Sequence, residues 1–215
     1  MERKLLAIVA ADMVGFSRLI ENDEISVLSR QKEYFTEIIK PQIEKFDGKI
    51  IKTTGDGFLA TFSSSLDAVE STTNIQKKIN LREKTQSNDK RIWFRIGINV
   101  GEVVLDDGDI FGNSVNIASR LESIADAGDV CITKDIFQNI KNLQSFDIRH
   151  LGEQQLKNIS QKVDVYKIKI NDEEYNQSKE NELLTEANQE IRYCGSKDNT
   201  IIGYAKLGNG PPLLI

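Results

Sequence analysis

Hydrophobic residues in the first third of the chain change spacing from segment to segment. The continuous apolar run "LLAIVAA", residues 5–11, predicts a buried central strand. Residues 17–45 carry apolar positions at helical spacing, and Pro41 predicts a kink or break in that helix. "GKIIKTT" and "GFLATF" then predict two strands joined by a tight Gly-Asp-Gly turn.

The same pattern continues to about residue 170. "SSSLDAVESTTNIQKKINLREK" opens with capping residues and predicts an amphipathic helix, and "IWFRIGINVGEVVLDD" predicts two strands with a bend or bulge at Gly101. "NSVNIASRLESIAD" predicts a helix capped by Asn113. "DVCIT" predicts a short strand, Thr133 is placed to cap one more helix, and "FDIRHLG" and "VDVYKIK" predict a closing strand pair.

This order of elements indicates one α+β domain over residues 1–170. Strands and helices follow one another as β-α-α-β-β-α-β-β-α-β-α-β-β, which favours helices packed on a mostly antiparallel central sheet. That arrangement is typical of the ferredoxin-like group of folds.

The remaining residues differ in character. Residues 171–190 hold seven acidic residues and one lysine, which predicts a solvated acidic linker or an exposed helix. Residues 191–215 predict a hairpin, a Gly/Pro turn and the first residues of another strand. This last segment is either the start of a truncated C-terminal domain or a terminal tail.

Composition narrows the class of protein. The chain has 215 residues and a net charge of −5, with a pI near 5.1, which argues against a nucleic-acid partner but leaves room for a small anionic ligand. Cys131 and Cys194 lie far apart, and the strand around Cys131 predicts a buried, reduced thiol. The sequence predicts neither a signal peptide nor a membrane span, so we expect a cytoplasmic protein.

Two aspartates stand out against this background. Asp12 ends an otherwise apolar strand, and Asp56 lies at the tip of the hairpin that we expect beside it. Converging carboxylates repel one another unless a cation lies between them, and Mg²⁺ accepts one or two carboxylates together with substrate phosphates. The alternative is that Asp12 caps the next helix and Asp56 is only a turn residue.

Five blocks, in order, resemble the catalytic domain of the class III nucleotidyl cyclases, in the bacterial adenylate cyclase branch. They are "LLAIVAADMVGFSRLIENDE", "IIKTTGDGFLATF", "RIGINVGEVV", "GDIFGNSVNIASRLESIADAGDVCIT" and "LGEQQLKNISQKVDVYKI". The resemblance implies the class III cyclase fold and an adenylate cyclase that converts ATP into 3′,5′-cyclic AMP and pyrophosphate. The tail after residue 190 is similar to the opening strands of α/β-hydrolases, but this chain lacks their Gly-x-Ser-x-Gly elbow.

The resemblance also implies roles for metal and base recognition. Asp12 and Asp56 match two aspartates that hold two Mg²⁺ or Mn²⁺ ions, with the Met13 carbonyl as a further candidate ligand. Lys52 and Asp109 match the pair that recognises adenine, the lysine donating to ring N1 and the aspartate accepting from the 6-amino group. Guanylate-forming relatives typically carry Glu and Cys there, because guanine presents the reverse pattern of donors and acceptors.

The remaining implied residues belong to the reaction itself. Asn116 orients the ribose and Arg120 contacts the reacting phosphorus, and because they are four residues apart they share a helix face. Lys157 matches the lysine that holds the terminal phosphates. The resemblance implies in-line attack of the 3′-hydroxyl on the α-phosphorus, with the two ions activating the nucleophile and neutralising the leaving group.

The family builds each site between two domains, so we expect a head-to-tail homodimer with two composite sites. Lys52 and Asp56 would then share a hairpin yet serve opposite sites.

Glu102 stands near a position where some relatives carry an arginine, and strand alternation does not indicate where Arg95 points. A structural role is expected for His150. The alternatives are a guanylate cyclase and a catalytically silent, nucleotide-binding regulatory domain.

Overall fold

The computed structural model describes residues 2–142, 146–170, 190–195 and 201–206. The chain divides into two compact units, residues 1–170 and residues 171–215. The helices of the first unit are α1 (Phe16–Tyr34), a π-helical turn (Phe35–Ile39), α2 (Lys40–Lys45), α3 (Ser65–Glu83), a 3₁₀ turn (Asn88–Lys90), α4 (Asn113–Ile124) and α5 (Lys134–Ile140). Its strands are β1 (Glu2–Met13), β2 (Lys49–Thr53), β3 (Gly57–Phe62), β4 (Phe94–Asp106), β5 (Asp109–Phe111), β6 (Val130–Thr133), β7 (Asp147–Gln154) and β8 (Val163–Lys169).

An eight-stranded sheet forms the centre of the first unit. Its order is β2-β3-β1-β4-β6-β8-β7, with β5 paired to β4. Every pairing is antiparallel except the one between β4 and β6. The predicted α+β class, with helices on a mostly antiparallel sheet, is therefore confirmed.

Strand β1 lies at the middle of the sheet and contributes side chains to both faces. Ala7 and Val9 pack in the large cluster that includes residues of α1, α3 and α5, while Ile8 and Ala10 pack in a second cluster that includes Ala118 of α4. This alternation follows from the two-residue repeat of a strand. Because both faces are covered, the strand is apolar throughout its middle, as the run "LLAIVAA" predicted.

Two local expectations are wrong. The segment "IWFRIGINVGEVVLDD" forms one strand, β4, paired with β1 without a register shift, so Gly101 neither divides it nor forms a bulge. A Cβ at Gly101 would lie 2.2 Å from Ser114 Oγ, so this glycine allows α4 to approach the strand. Asn113 lies inside α4, whose N-cap is Gly112. Thr133 is the N-cap residue of α5 as expected, although its side chain makes no capping hydrogen bond.

The long helical segment is interrupted before Pro41. The π-helical turn at Phe35–Ile39 separates α1 from α2, and Pro41 lies in the first turn of α2, where its missing N–H costs no hydrogen bond. Asp23 also has non-helical dihedral angles within α1. The cap of α3 is as expected, because Ser64 Oγ accepts a hydrogen bond from the Asp67 amide.

The second unit is described only in two strands, β9 (Glu190–Gly195) and β10 (Ile201–Lys206), which pair antiparallel. They correspond to the hairpin expected after residue 190. The predicted acidic linker, residues 171–190, and the predicted Gly/Pro turn lie outside the described residues, apart from the start of β9. Within the part of the chain that is described, no helix has the length and apolarity to cross a membrane.

Candidate active site

Asp12 and Asp56 lie beside one another where β1 ends and β3 begins. Asp12 is the penultimate residue of β1 and pairs with Gly57 across the antiparallel ladder. The Met13 amide donates a hydrogen bond to the Asp56 carbonyl at 3.1 Å, which fixes the hairpin tip against the strand end. A Cβ at Gly57 would lie 2.1 Å from the Ala11 carbonyl oxygen, so only glycine permits this contact.

The charge at Asp12 is poorly compensated. Burial and then the neighbouring charge of Asp56 raise the pKa of Asp12, and a hydrogen bond from Arg95 opposes the increase. A divalent cation would relieve this repulsion, and hard carboxylate oxygens are the ligands that Mg²⁺ and Mn²⁺ accept, so the residues fit such an ion. In the described ranges, no group of three His, Cys, Asp or Glu side chains is arranged to hold a metal by itself.

The capping alternative for Asp12 is wrong. The N-cap of α1 is Gly15, with φ of 66°, and the helix start has no side-chain capping bond. Asp56 does lie in a tight turn, which the Thr54 amide closes by donating to the Gly57 carbonyl at 2.9 Å. Its position in a turn therefore coexists with its position beside Asp12.

Lys52 and Asp109 form a direct ion pair, although 57 residues separate them in sequence. Lys52 Nζ lies 2.7 Å from Asp109 Oδ2, at the meeting of β2 and β5. The Lys52 hydrogen bond, with a second from the Ile110 amide, holds the pKa of Asp109 below its ordinary value. The pair presents a cationic donor beside an anionic acceptor, and both side chains remain accessible, at 46% and 32%.

Helix α4 carries Asn116 and Arg120 on the face turned away from the sheet. Asn116 is exposed and Arg120 is half-buried, whereas Ala118 and Leu121 of the same helix are buried against the strands. A Cβ at Gly97 of β4 would lie 2.2 Å from the Ala118 carbonyl, so α4 packs backbone to backbone on the sheet. Arg120 Nε donates to the Lys157 carbonyl at 3.1 Å, which brings the helix to the loop that carries the exposed Lys157.

The candidate residues thus form three contacts in one chain: Asp12 with Asp56, Lys52 with Asp109, and Arg120 with the Lys157 backbone. Met13 is fixed through its amide, and its side chain is buried. The His150 ring stacks on Tyr166, and its Nε2 lies 2.5 Å from Asp164 Oδ1. Both contacts join β7 to β8, which is consistent with a structural role.

Sequence reasoning left two residues of this region unassigned. Arg95 is the cross-strand partner of Asp12, and its Nη2 lies 3.0 Å from Asp12 Oδ2 and 3.1 Å from Glu122 Oε1. Glu122 comes from the buried face of α4, and burial raises its pKa although Arg95 opposes this. An acid next to Leu121 on an apolar helix face was the available signal for Glu122, while the position of Arg95 depends on strand register.

The fold and the order of these sites define a nucleotidyl cyclase domain. Residues 2–170 match the family described as "Adenylate and Guanylate cyclase catalytic domain", and the chain belongs to this family of enzymes.

Individual relatives agree with this membership. The chain is similar to "Putative adenylate cyclase 3" of Rhizobium meliloti (strain 1021), at 35% identity over 164 residues, which cover 76% of this chain and 28% of the relative. The match to an adenylate cyclase of Streptomyces coelicolor, at 35% identity, covers 56% of this chain and 30% of that protein. The chain therefore spans less than a third of the length of these curated relatives.

Solved structures agree in fold. The crystal structure of an adenylate/guanylate cyclase/hydrolase from Silicibacter pomeroyi has a TM-score of 0.73 at 44% identity, covering 80% of this chain and 99% of that one. The adenylyl cyclase CyaB from P. aeruginosa has a TM-score of 0.69 at 26% identity, covering 78% and 95%.

Proposed function

We propose that this chain is an adenylate cyclase domain that converts ATP into 3′,5′-cyclic AMP and pyrophosphate. The observation that carries the proposal is the contact of 2.7 Å between Lys52 and Asp109. A lysine donor and an aspartate acceptor match the N1 acceptor and 6-amino donor of adenine, and they oppose the reversed pattern of guanine. The relatives named as adenylate cyclases support the same substrate.

In the proposed reaction the 3′-hydroxyl oxygen attacks the α-phosphorus, and the bond from that phosphorus to the bridging oxygen of the β-phosphate breaks, so that pyrophosphate leaves. The hydroxyl proton passes to a phosphate oxygen of the substrate or to solvent. Asn116 orients the ribose, and the guanidinium of Arg120 stabilises charge that builds on the non-bridging oxygens. Lys157 binds the terminal phosphates. The 3.1 Å contact between Arg120 and the Lys157 backbone supports this division of roles, since it places both at neighbouring positions.

Asp12 and Asp56, with the Met13 carbonyl, would hold two Mg²⁺ or Mn²⁺ ions. Those ions would activate the 3′-hydroxyl and neutralise the triphosphate. The raised pKa of Asp12 beside Asp56 supports this assignment, because Arg95 compensates only part of the negative charge there and a divalent cation would stabilise the rest. The two carboxylates would hold the ions at a fixed position, because the hydrogen bond from the Met13 amide to the Asp56 carbonyl holds the hairpin against β1.

We propose a head-to-tail homodimer in which each site takes its carboxylates from one subunit and its base-recognition and ribose-binding residues from the other. The division of the candidate residues into three separate contacts supports this assembly.

We further propose that residues 171–190 are a linker and residues 191–215 begin an α/β-hydrolase-like domain. The β9–β10 hairpin and the word "hydrolase" in the name of the Silicibacter pomeroyi protein support the latter.

The test is cyclic nucleotide formation from ATP or GTP, with Mg²⁺ or Mn²⁺, by the full chain and by Asp12→Ala. We expect cyclic AMP as the main product, and loss of activity by at least about 100-fold in Asp12→Ala. The matched control is Asp67→Ala, which removes a carboxylate on α3. Cyclic GMP as the main product would favour a guanylate cyclase. Nucleotide binding without turnover in an assembled dimer would favour a regulatory domain.

A further inference from the structure

Arg95 shares one nitrogen between two acids from different elements. Its Nη2 contacts Asp12 of β1 at 3.0 Å and Glu122 of α4 at 3.1 Å. The side chains of Arg95 and Asp12 are 29% exposed, and that of Glu122 is 12% exposed. In this partly buried setting each charge interacts more strongly than it would in water.

The carboxylates around Arg95 outnumber it three to one. Burial raises the pKa of Glu122, the charge of Arg95 lowers it, and the charges of Asp12 and Asp56 nearby raise it further. Packing at Gly97 keeps Glu122 where it is, because α4 cannot retreat from β4 without losing its backbone contact. With Arg95 paired to two of them, these acids are not among any described group of three that is arranged to hold a metal ion. Without its charge they would offer three carboxylates to a divalent ion.

We propose that Arg95 is a positioning residue that acts as the resident countercharge of this cluster and withholds Glu122 from the metal site. Divalent ions are then held by Asp12 and Asp56 alone, so stable binding requires the phosphates of the nucleotide. The inference rests on the proposed function, because it takes Asp12 and Asp56 as the metal ligands.

Two further observations support this role. Glu122 Oε1 and Arg95 Nε are buried without hydrogen-bond partners among the described residues, so charge rather than a full hydrogen-bond network holds Arg95 to Glu122. Arg95 can therefore leave Asp12 when a cation arrives and remain paired with Glu122, so that neither charge is left alone. An arginine paired with Asp12 alone would lose its only carboxylate partner in that exchange.

The experiment measures equilibrium Mn²⁺ binding to the full chain without nucleotide, by electron paramagnetic resonance. Arg95→Gln frees Glu122 and removes a positive charge a few ångströms from the ion, so we expect binding about ten-fold tighter than in wild type. Arg95→Gln combined with Glu122→Gln restores the original net charge of the cluster and should return affinity to within about two-fold of wild type. Arg3→Gln, which changes the chain's charge equally on an exposed pair with Glu102, should leave affinity unchanged.

A second variant keeps the inference testable if Arg95→Gln does not fold. Glu122→Gln leaves Arg95 to Asp12 alone, so Mn²⁺ binding in the presence of a non-cyclising ATP analogue should weaken about ten-fold. Unchanged or weaker Mn²⁺ binding in folded Arg95→Gln, or unchanged binding in Glu122→Gln, would overturn the inference.

Failure of the proposed function gives a different result. Asp12→Ala is measured with Mn²⁺ and the same analogue. If this variant binds the ion as wild type does, Asp12 is not a metal ligand and the proposed site is wrong. If it loses the ion while the Arg95 and Glu122 variants behave like Arg3→Gln, only the countercharge role of Arg95 is wrong.

Discussion

At the scale of single residues, the Lys52–Asp109 contact has the most direct chemical consequence. The two side chains already satisfy one another at 2.7 Å, so a purine that binds there exchanges one set of hydrogen bonds for another. The net gain from such an exchange is small, whereas a purine with the wrong pattern leaves both charges without partners. The pair should therefore select the base more than it increases affinity for the nucleotide.

The first prediction follows from that selection. Lys52→Glu combined with Asp109→Cys should lower kcat/KM for ATP by about 10- to 100-fold and raise it for GTP, because the donor and acceptor positions are no longer complementary to adenine. Both products are quantified by chromatography. Lys49→Glu, an exposed lysine on the same strand, is the matched control. An unchanged ratio of the two rates would contradict base recognition by this pair.

A second residue-scale prediction concerns Asp129, whose pKa burial raises above the ordinary 3.8, against the opposing charge of Lys167 3.4 Å away. The folded state then keeps a proton that the unfolded state loses, so the free energy of unfolding falls as pH rises above 3.8. Relative to Asp129→Asn, wild type should lose stability between about pH 4 and the raised pKa and then level off. Urea unfolding of both proteins from pH 4 to 7 measures this. A free energy of unfolding that rises with pH in wild type relative to Asp129→Asn would contradict the prediction.

How far single residues could be predicted depended on what determines their position. Asp12 and Asp56 were identifiable because a charge at the end of an apolar strand and a turn between glycines are visible along the chain. Arg95 was not, because its contact with Asp12 depends on the register between β1 and β4, which strand alternation leaves open. The two carboxylates that contact the Arg95 guanidinium, those of Asp12 and Glu122, come from elements that are distant in sequence.

At the scale of elements, periodicity predicted the order of helices and strands but not their interruptions. Strand β4 continues through Gly101, and the glycine is explained by its contact with α4, which lies in a different part of the sequence. Conversely, α1 ends in a π-helical turn where the apolar spacing indicated an unbroken helix up to Pro41. Both differences arise from tertiary packing that a local pattern does not contain.

Gly97 gives a prediction at this scale. Gly97→Ala should lower the free energy of unfolding by about 3 kcal/mol, since its Cβ would lie 2.2 Å from the Ala118 carbonyl and α4 would have to move. Gly108→Ala is the control, because that glycine has a positive φ but open space around it, and should cost about 1 kcal/mol. Urea denaturation compares the two, and equal losses would show that α4 tolerates the displacement.

The junction of α1 and α3 gives another prediction. Glu83 at the end of α3 is fully buried and accepts hydrogen bonds from Arg30, from Tyr34 and from the Ile92 amide. Glu83→Ala leaves Arg30, whose side chain is 16% exposed, without its counter-ion and should cost about 3 kcal/mol. Glu37→Ala, which removes an exposed partner of Arg82, should cost less than about 1 kcal/mol. Thermal unfolding tests whether the buried network outweighs the surface pair.

At the scale of the whole molecule, the arrangement of helices determines where partners can approach. The helices α1, α3 and α5 cover one face of the sheet and α4 the other, so the candidate residues lie at strand ends and on the outer face of α4. A substrate bound to all of them by one chain would have to reach three separate contacts. The proposed homodimer provides a different route, because residues of two chains complete each site.

Mixing two inactive variants tests that assembly. Asp12→Ala and Asn116→Ala should each be inactive alone, while an equal mixture should recover about a quarter of wild-type activity, since half of the dimers are mixed and each has one intact site. Refolding the two chains together ensures exchange. A mixture that remains inactive would indicate that each subunit builds its own site, and the Asp67→Ala chain mixed with Asp12→Ala serves as the reference.

The short hairpin between β2 and β3 has a consequence for such a dimer. Lys52 and Asp56 are four residues apart, so about 14 Å of backbone at most joins a base-recognition residue of one centre to a metal-binding residue of the other. A signal that displaced this hairpin would move Lys52 in one proposed centre and Asp56 in the other at the same time. In a dimer of two wild-type chains, such a signal should therefore switch the two centres on and off together.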